Sequence, residues 1–369
     1  MIVHLFDDQK FVDITIKNFD KINSEINRYI VFSNSDKLKY VSNIDRITIL
    51  SNSSYNINYS LIFNECNLLV IHFLTPLKSF IIKQAPPNVK ILWSSWGADF
   101  YNQFENYSIY ETNTNKLISN NKFFQFRKSN LYNLYHFLRY RVFPIKFEKK
   151  ILEKINYLST VLPYEFDLIT NEFNFKPSYI DFNYGVNEYD DSIEFKLGEK
   201  VLIGNSSTFS NNHLDVFEKI KNSNCEFICP LNYGGSDFKK YQSVVIKIGR
   251  KYFKNKISFL TEFLSTKDYN NILIECNTAI MFHIRQQALA NIFKLLFIGV
   301  RLFLNKNSLL FDYFVKQGAV IFNLEKDSNL LGIELSKEEK NKNKLFVSRS
   351  RGRKVIDRKY QTIISINNF

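Results

Sequence analysis

Short apolar runs alternate along the chain with longer amphipathic segments. Residues 2–6, 29–32, 47–50, 68–73 and 89–93 are nearly continuous in Ile, Val, Leu, Phe and Tyr. That pattern predicts strands buried on both faces, as in a parallel sheet. Segments 51–61 and 76–85 connect them, and Pro76 suits the first turn of a helix. From 121 to 156 the chain is aromatic, basic and helical in pattern, with a break at Pro144. Strand signals return at 160–162, 167–170 and 179–182. Residues 183–199 are polar, acidic and aperiodic, which reads as a linker. A second series then predicts strands at 200–203, 226–229, 257–260, 278–283, 300–304 and 319–322. Helices are expected between them at 213–221, 237–253, 265–276, 286–298 and 308–316. Alternating elements of this kind imply an α/β class with right-handed crossovers. The expected organisation is a first domain at 1–182, a linker at 183–199, a second domain at 200–335 and a basic tail at 336–369. Two such sheets place a ligand cleft at their carboxyl ends.

Composition narrows the class. A hydrophobic share of 45 % and an aromatic share of 16 % exclude a disordered or collagen-like chain. Four cysteines in 369 residues do not make a disulfide scaffold, so a reducing compartment is expected. The net charge of +13 is not spread evenly: 122–154, 239–256 and 337–359 carry +7 each, and the remainder is −8. The start, MIVHLFDDQKF, has no basic region before its apolar burst and does not read as a signal peptide. Stretch 288–304 is interrupted by Lys294 and Arg301 and is too short to span a bilayer. A soluble or peripheral cytosolic chain is expected.

Three segments carry candidate chemistry. Segment 201–213, VLIGNSSTFSNNH, is a strand, a turn of small and hydroxyl residues, and a helix start. Backbone amides there suit a phosphate, although the same residues are also good helix caps. Segment 283–291, HIRQQALAN, puts Arg285 after a strand at an expected helix start. A cation is disfavoured at that end of a helix, and a guanidinium can clamp a diphosphate, so an anionic ligand is the better reading. Segment 93–101, WSSWGADFY, ends a strand with two Trp, a Gly and an Asp, which suits a sugar platform or a capped core Trp pair. Glycines are few: Gly97 and Gly204 fall on these strand-end junctions, and Gly299 closes the expected helix 286–298. Metal motifs are weak: Cys225 and Cys229 have no second pair nearby, the five His are scattered, and neither HExxH nor GxSxG occurs.

In order, these segments resemble the TDP-Fuc4NAc:lipid II Fuc4NAc transferases of enterobacterial common antigen synthesis, glycosyltransferase family 56. The resemblance rests on Trp96-Gly97-Ala98-Asp99-Phe100-Tyr101, on Ile203-Gly204-Asn205-Ser206-Ser207 with Ser210, Asn211 and His213, on Pro230 with Tyr233, on Arg285-Gln286-Gln287, and on Gly299 through Leu304-Asn305-Lys306. It runs from about residue 1 to 325. The resemblance implies two Rossmann-like domains facing a cleft, the GT-B type, and a hexosyltransferase activity. It implies a nucleotide-sugar donor, TDP- or UDP-linked, bound by Gly204, Asn205, Ser206, Ser207, Asn211, Tyr233, Arg285, Gln286, Gln287, Asn291 and Asn305. The acceptor would be a polyprenyl-pyrophosphate-linked saccharide met by Trp96, Gly97 and Tyr101, in bacterial surface polysaccharide (enterobacterial common antigen or O-antigen) biosynthesis. One departure stands out. Where the family has Gly-x-Gly-Thr after Arg-Gln-Gln, this chain has Ala288-Leu289-Ala290-Asn291.

The expected chemistry is a metal-independent transfer with no cofactor, in which Arg285 and amides near Ser206 stabilise the departing nucleoside diphosphate. Asp99 is the first expected proton acceptor, Asp8 the second and His72 the third. A membrane-bound acceptor gives the basic, aromatic segments a reason: an anionic surface at the cytoplasmic face of the inner membrane, visited peripherally. Two other classes stay open, a non-catalytic sugar- or nucleotide-binding protein and a basic nucleic-acid-binding protein. The latter lacks RRM, KH and OB signatures, so no nucleic-acid partner is expected.

Overall fold

The computed structural model describes residues 1–367 apart from 8, 36–37, 39, 52–58, 105–106, 121–133, 135–146, 186–192, 235–237 and 263. The chain divides into two bodies. The first comprises Met1–Tyr107, the described part of Lys122–Val186, and Arg353–Phe369 as far as it is described. The second comprises Ser108–Asn121 and Asn187–Gly352 over their described residues.

In the first body, β1 (Ile2–Phe6), β2 (Asn27–Phe32), β3 (Ile47–Leu50), β4 (Leu68–His72), β5 (Lys90–Ser94), β6 (Tyr157–Ser159) and β7 (Ser178–Tyr179) form one sheet. Its order is β3-β2-β1-β4-β5-β6-β7, and every pairing is parallel. The apolar runs dictate this, because β1 and β4 are buried at every position. Helix α1 (Val12–Asn23) covers one face with Val12, Ile16 and Phe19. Helix α2 (Pro76–Gln84) starts as expected, with Pro76 in its first turn and the Thr75 side chain accepting from the Lys78 amide.

The second body repeats the plan. Strands β8 (Lys200–Ile203), β9 (Phe227–Pro230), β10 (Ile257–Leu260), β11 (Cys276–Met281), β12 (Arg301–Leu304) and β13 (Phe322–Asn323) pair in parallel in the order β10-β9-β8-β11-β12-β13. Its core joins Val201, Ile203, Val216, Phe217, Cys229, Tyr241, Ile280 and Phe303.

Several sequence expectations differ from what is observed. The strand expected at 160–162 lies at Tyr157–Ser159, where it pairs with Leu92–Ser94. Residues 167–170 lie inside a helix, Pro163–Phe173, rather than in a strand. Pro163 presets its first turn, and the Glu165 carboxylate accepts the Leu162 amide at 2.9 Å. The helix expected from 286 starts only at Leu289, because Ala288 has φ +58°, which a right-handed helix cannot contain. The segment expected as a basic tail is two helices built into the cores. Helix Lys337–Arg351 buries Phe346 and Val347 and stacks Phe346 on Phe293 at 5.8 Å. Helix Arg353–Ile366 returns to the first body, burying Ile356, Tyr360 and Ile363. Both alternate buried apolar residues with exposed Lys and Arg, and their charges mask an amphipathic pattern.

The basic, aromatic stretch expected at 122–154 lies outside the described residues up to 146, apart from Leu134. Among the described residues no helix is long and apolar enough to cross a membrane.

Candidate functional site

The connections from β8 and β11 leave in opposite directions along the second sheet, so the loops after these adjacent strands diverge at a switch point. Open α/β sheets take their ligands there. Loop 204–212 begins at Gly204 with φ +66°. A side chain at 204 would stand 2.7 Å from Asn211 Oδ1 and 2.8 Å from His213 Nε2, so glycine is required on both counts. Asn211, 1 % exposed, ties the loop together. Its Nδ2 donates to Ser206 O at 2.9 Å and to Thr208 Oγ1 at 2.8 Å, while its Oδ1 accepts from the Asn205 amide at 3.0 Å. Because that amide group faces Ser206 with its nitrogen, Oδ1 must also accept the Nε2–H of His283 at 2.9 Å.

The loop after β11 meets this one. Gln287 Nε2 donates to Asn205 Oδ1 and Thr208 Oγ1, both at 3.1 Å, and its Oε1 accepts from Ser210 Oγ at 2.5 Å. Arg285 donates to Gln286 O at 3.0 Å and reaches Ser210 Oγ at 3.4 Å. Arg285 therefore stands in the loop four residues before its helix, not on a first turn. Asn205 Nδ2 donates to the Tyr233 hydroxyl at 2.7 Å, and the Ser207 amide to Tyr233 O at 2.6 Å. Gly204, Asn205, Ser206, Ser207, Asn211, Tyr233, Arg285 and Gln287 are thus brought together. Gln286 is buried beside them, and its Oε1 has no partner; nor do His213 Nε2 and His283 Nδ1. Burial holds both imidazoles neutral, with His213 pushed down to about 3. Asn291 bonds Tyr269 at 3.2 Å instead.

Asn305, at the end of β12, donates to Glu111 Oε1 at 2.6 Å, and the Glu111 amide donates to Asn212 Oδ1 at 2.9 Å. Asp215 accepts the Asn113 and Thr114 amides at 2.7 and 3.0 Å, capping helix Thr112–Ser119. Sequence reasoning missed Glu111, because nothing local says that 108–121 belongs to the second body.

Ala288 occupies left-handed backbone where the resembling family has glycine. An L side chain costs about 1 kcal/mol there. Ala288→Gly should therefore raise the urea midpoint of the second body by roughly that stability, with an unchanged or lowered midpoint counting against it.

In the first body the WGAD loop follows β5. Asp99, 5 % exposed, accepts from Trp93 Nε1 at 2.9 Å, the Leu74 amide at 3.1 Å and the Trp96 amide at 3.0 Å. Burial pushes its carboxyl up against the lowering pull of those bonds. Asp99, the first expected proton acceptor, braces two loops in this arrangement. Asp8 lies outside the described residues. His72 is buried between His4 and Tyr184. Gly97 turns the loop with φ +91°, and Tyr101 is buried, donating to Glu165 at 2.8 Å. Trp96 remains partly exposed.

Lys78, fully buried on α2, escaped sequence reasoning because it reads as a surface lysine. It donates to His72 O and Phe73 O and pairs with Asp7. Lys78→Met should cost about 2 kcal/mol of urea-measured stability, less than a sealed pair would, because Asp7 keeps contact with water. An unchanged midpoint would show the carbonyls satisfied otherwise.

A sequence model of the family described as 4-alpha-L-fucosyltransferase, glycosyl transferase group 56, matches residues 64–339. No curated protein sequence matches the chain. Among solved structures, the sucrose-phosphate synthase of Thermosynechococcus elongatus is similar with TM-score 0.65 at 7 % identity, covering 99 % of this chain and 98 % of that one. Anabaena Alr3699/HepE, solved in complex with UDP and glucose, gives 0.64 at 10 % identity and 99 % of both chains. The UDP-forming alpha,alpha-trehalose-phosphate synthase of Burkholderia vietnamiensis gives 0.60 at 7 % identity, 100 % of this chain and 99 % of that one.

Proposed function

This chain belongs to glycosyltransferase group 56 and is a sugar-transferring enzyme of the GT-B fold, and from that footing we propose that it moves a deoxy or acetamido sugar of the Fuc4NAc kind from a TDP- or UDP-linked donor to a polyprenyl-pyrophosphate-linked saccharide. The observation that supports a nucleotide-sugar donor is the pair of interlocked loops at the switch point between β8 and β11. There a guanidinium, hydroxyls and a glycine-opened backbone converge.

In the reaction, an acceptor hydroxyl oxygen bonds the anomeric carbon as the bond to the diphosphate oxygen breaks. Arg285 compensates the charge that grows on the departing diphosphate, and Gln287, Ser210 and Thr208 fix the loop that holds it. The hydroxyl proton passes to a carboxylate. We assign this to Asp7, just after β1: Lys78 and Thr75 engage its Oδ2, its side chain is 23 % exposed, and Oδ1 has no partner among the described residues, whereas both oxygens of Asp99 are engaged. A lipid-linked acceptor would bring the enzyme to the cytoplasmic membrane surface, where its clustered Lys and Arg would meet anionic headgroups.

The test supplies a panel of TDP- and UDP-sugars with bacterial lipid-linked saccharides and follows the lipid product by mass spectrometry. Transfer from a TDP- or UDP-linked deoxy or acetamido sugar is expected. Transfer from none of them to any lipid-linked saccharide overturns the proposal.

A further inference from the structure

Resting on the reading that the first body takes the acceptor, we infer that Trp96, flanked by Phe11 and Phe73, is a stacking face for a pyranose ring of the acceptor, and that Tyr184 is a positioning residue that fixes the indole through a one-way hydrogen-bond relay.

The face is drawn from the loops that follow β1, β4 and β5. Phe11 lies edge-on to Trp96 at 4.7 Å and Phe73 at 5.7 Å, and all three rings remain partly exposed. Trp93, three residues earlier, is fully buried. An aromatic face packs well against the C–H face of a sugar while polar groups at its edge take the hydroxyls. Phe73 sits at φ +66°, a conformation that bulky residues avoid. Its carbonyl is held by Lys78 at 3.0 Å, its amide by Ser94 O at 3.1 Å, and the next amide by Asp99 at 3.1 Å. Backbone strain so firmly overdetermined clusters at ligand sites.

The direction of the relay follows from its far end. Asn27 Nδ2 donates to Asn23 O at 2.6 Å, so its Oδ1 faces His4 and accepts His4 Nε2–H at 3.3 Å. His4 is neutral, so its Nδ1 accepts from His72 Nε2–H at 3.1 Å. His72 Nδ1 then accepts the Tyr184 hydroxyl proton at 2.6 Å. With its proton spent, the Tyr184 oxygen accepts from Trp96 Nε1 at 2.7 Å and from Ser94 Oγ at 3.2 Å. Each N–H and O–H of the relay donates once, in one sense, and the Tyr184 oxygen uses both lone pairs as acceptors. The Tyr184 carbonyl is itself pinned by Tyr360 at 3.1 Å and Asn18 at 3.4 Å, which gives the returning C-terminal helix a purpose. Buried polar chains stabilise less than apolar packing and specify more, and what this one specifies is the setting of one indole.

With two tryptophans in the chain, a nitrogen–proton correlation spectrum shows two indole signals. Methyl N-acetyl-glucosaminide, methyl fucoside and methyl glucuronide are titrated into the whole protein. The signal lost in Trp96→Phe should move saturably with at least one of them, while the Trp93 signal stays. In Tyr184→Phe the Trp96 signal should start from a new position and half-saturate at about five-fold higher sugar, the effect of one lost hydrogen bond. No response at Trp96 to any of the three, or an unaltered half-saturation in Tyr184→Phe, overturns the inference. UDP and TDP titrated into the same samples keep the two readings apart. Nucleotide binding without a sugar response ends the stacking face alone, and absence of nucleotide binding in the wild type ends the donor assignment.

Discussion

Arg285→Ala should lower the rate of sugar transfer by about 10²- to 10³-fold, the usual cost of removing one preorganised group that meets developing charge. The guanidinium donates to Gln286 O and Ser210 Oγ, at 3.0 and 3.4 Å. Both contacts lie within the two loops rather than in the core of the second body, and turnover should fall far more than the urea midpoint does. Arg285→Lys should recover little, because an ammonium carries the charge without the planar fork that meets two phosphate oxygens at once. Steady-state rates for the three proteins at saturating donor decide the matter. Turnover within two-fold of wild type in Arg285→Ala would remove Arg285 from the reaction.

The second large effect is on stability in mild acid. Four histidines, His4, His72, His213 and His283, are at most 1 % exposed. Burial pushes His4 and His213 down to about 3 and the other two well below their ordinary value. A histidine with a folded pKa below its unfolded value of 6.5 takes up a proton on unfolding once the pH falls under 6.5. The stability it contributes is therefore complete above pH 6.5 and is lost progressively as the pH drops toward 3. At pH 4.5, two units under the unfolded value, His4 and His213 would each have given up about 2 to 3 kcal/mol. Between pH 6.5 and about 5.5 the loss lies above the ordinary carboxylate range, so that part of the profile reports on histidine. Urea midpoints measured from pH 7.5 to 4.5 should fall steeply, and a level profile would mean that these rings are charged or solvated when folded.

Much of the fold was legible because buried parallel strands are written as apolar runs, and all of β1, β3 and β4 could be found from them. The glycines marked the right junctions, since Gly97 and Gly204 both adopt positive φ at strand ends. Short-range pattern failed where distant contacts decide. Residues 167–170 are apolar enough for a strand but follow Pro163 into a helix. The 337–366 charges hid two amphipathic helices. Asp99 could be placed after a strand, but nothing local told that Trp93 and two amides, one of them 25 positions away, engage it. Tyr184 and Glu111 are invisible to any local rule, because their partners stand 112 and 194 positions away along the chain.

We place the nucleotide in the loops after β8 and β11. Hydrogen–deuterium exchange with and without UDP or TDP tests it most directly. Slowed exchange in peptides covering 204–212 and 282–288, absent in Arg285→Ala, is the predicted result. Protection confined to the loops of the first sheet, or protection nowhere, would contradict it.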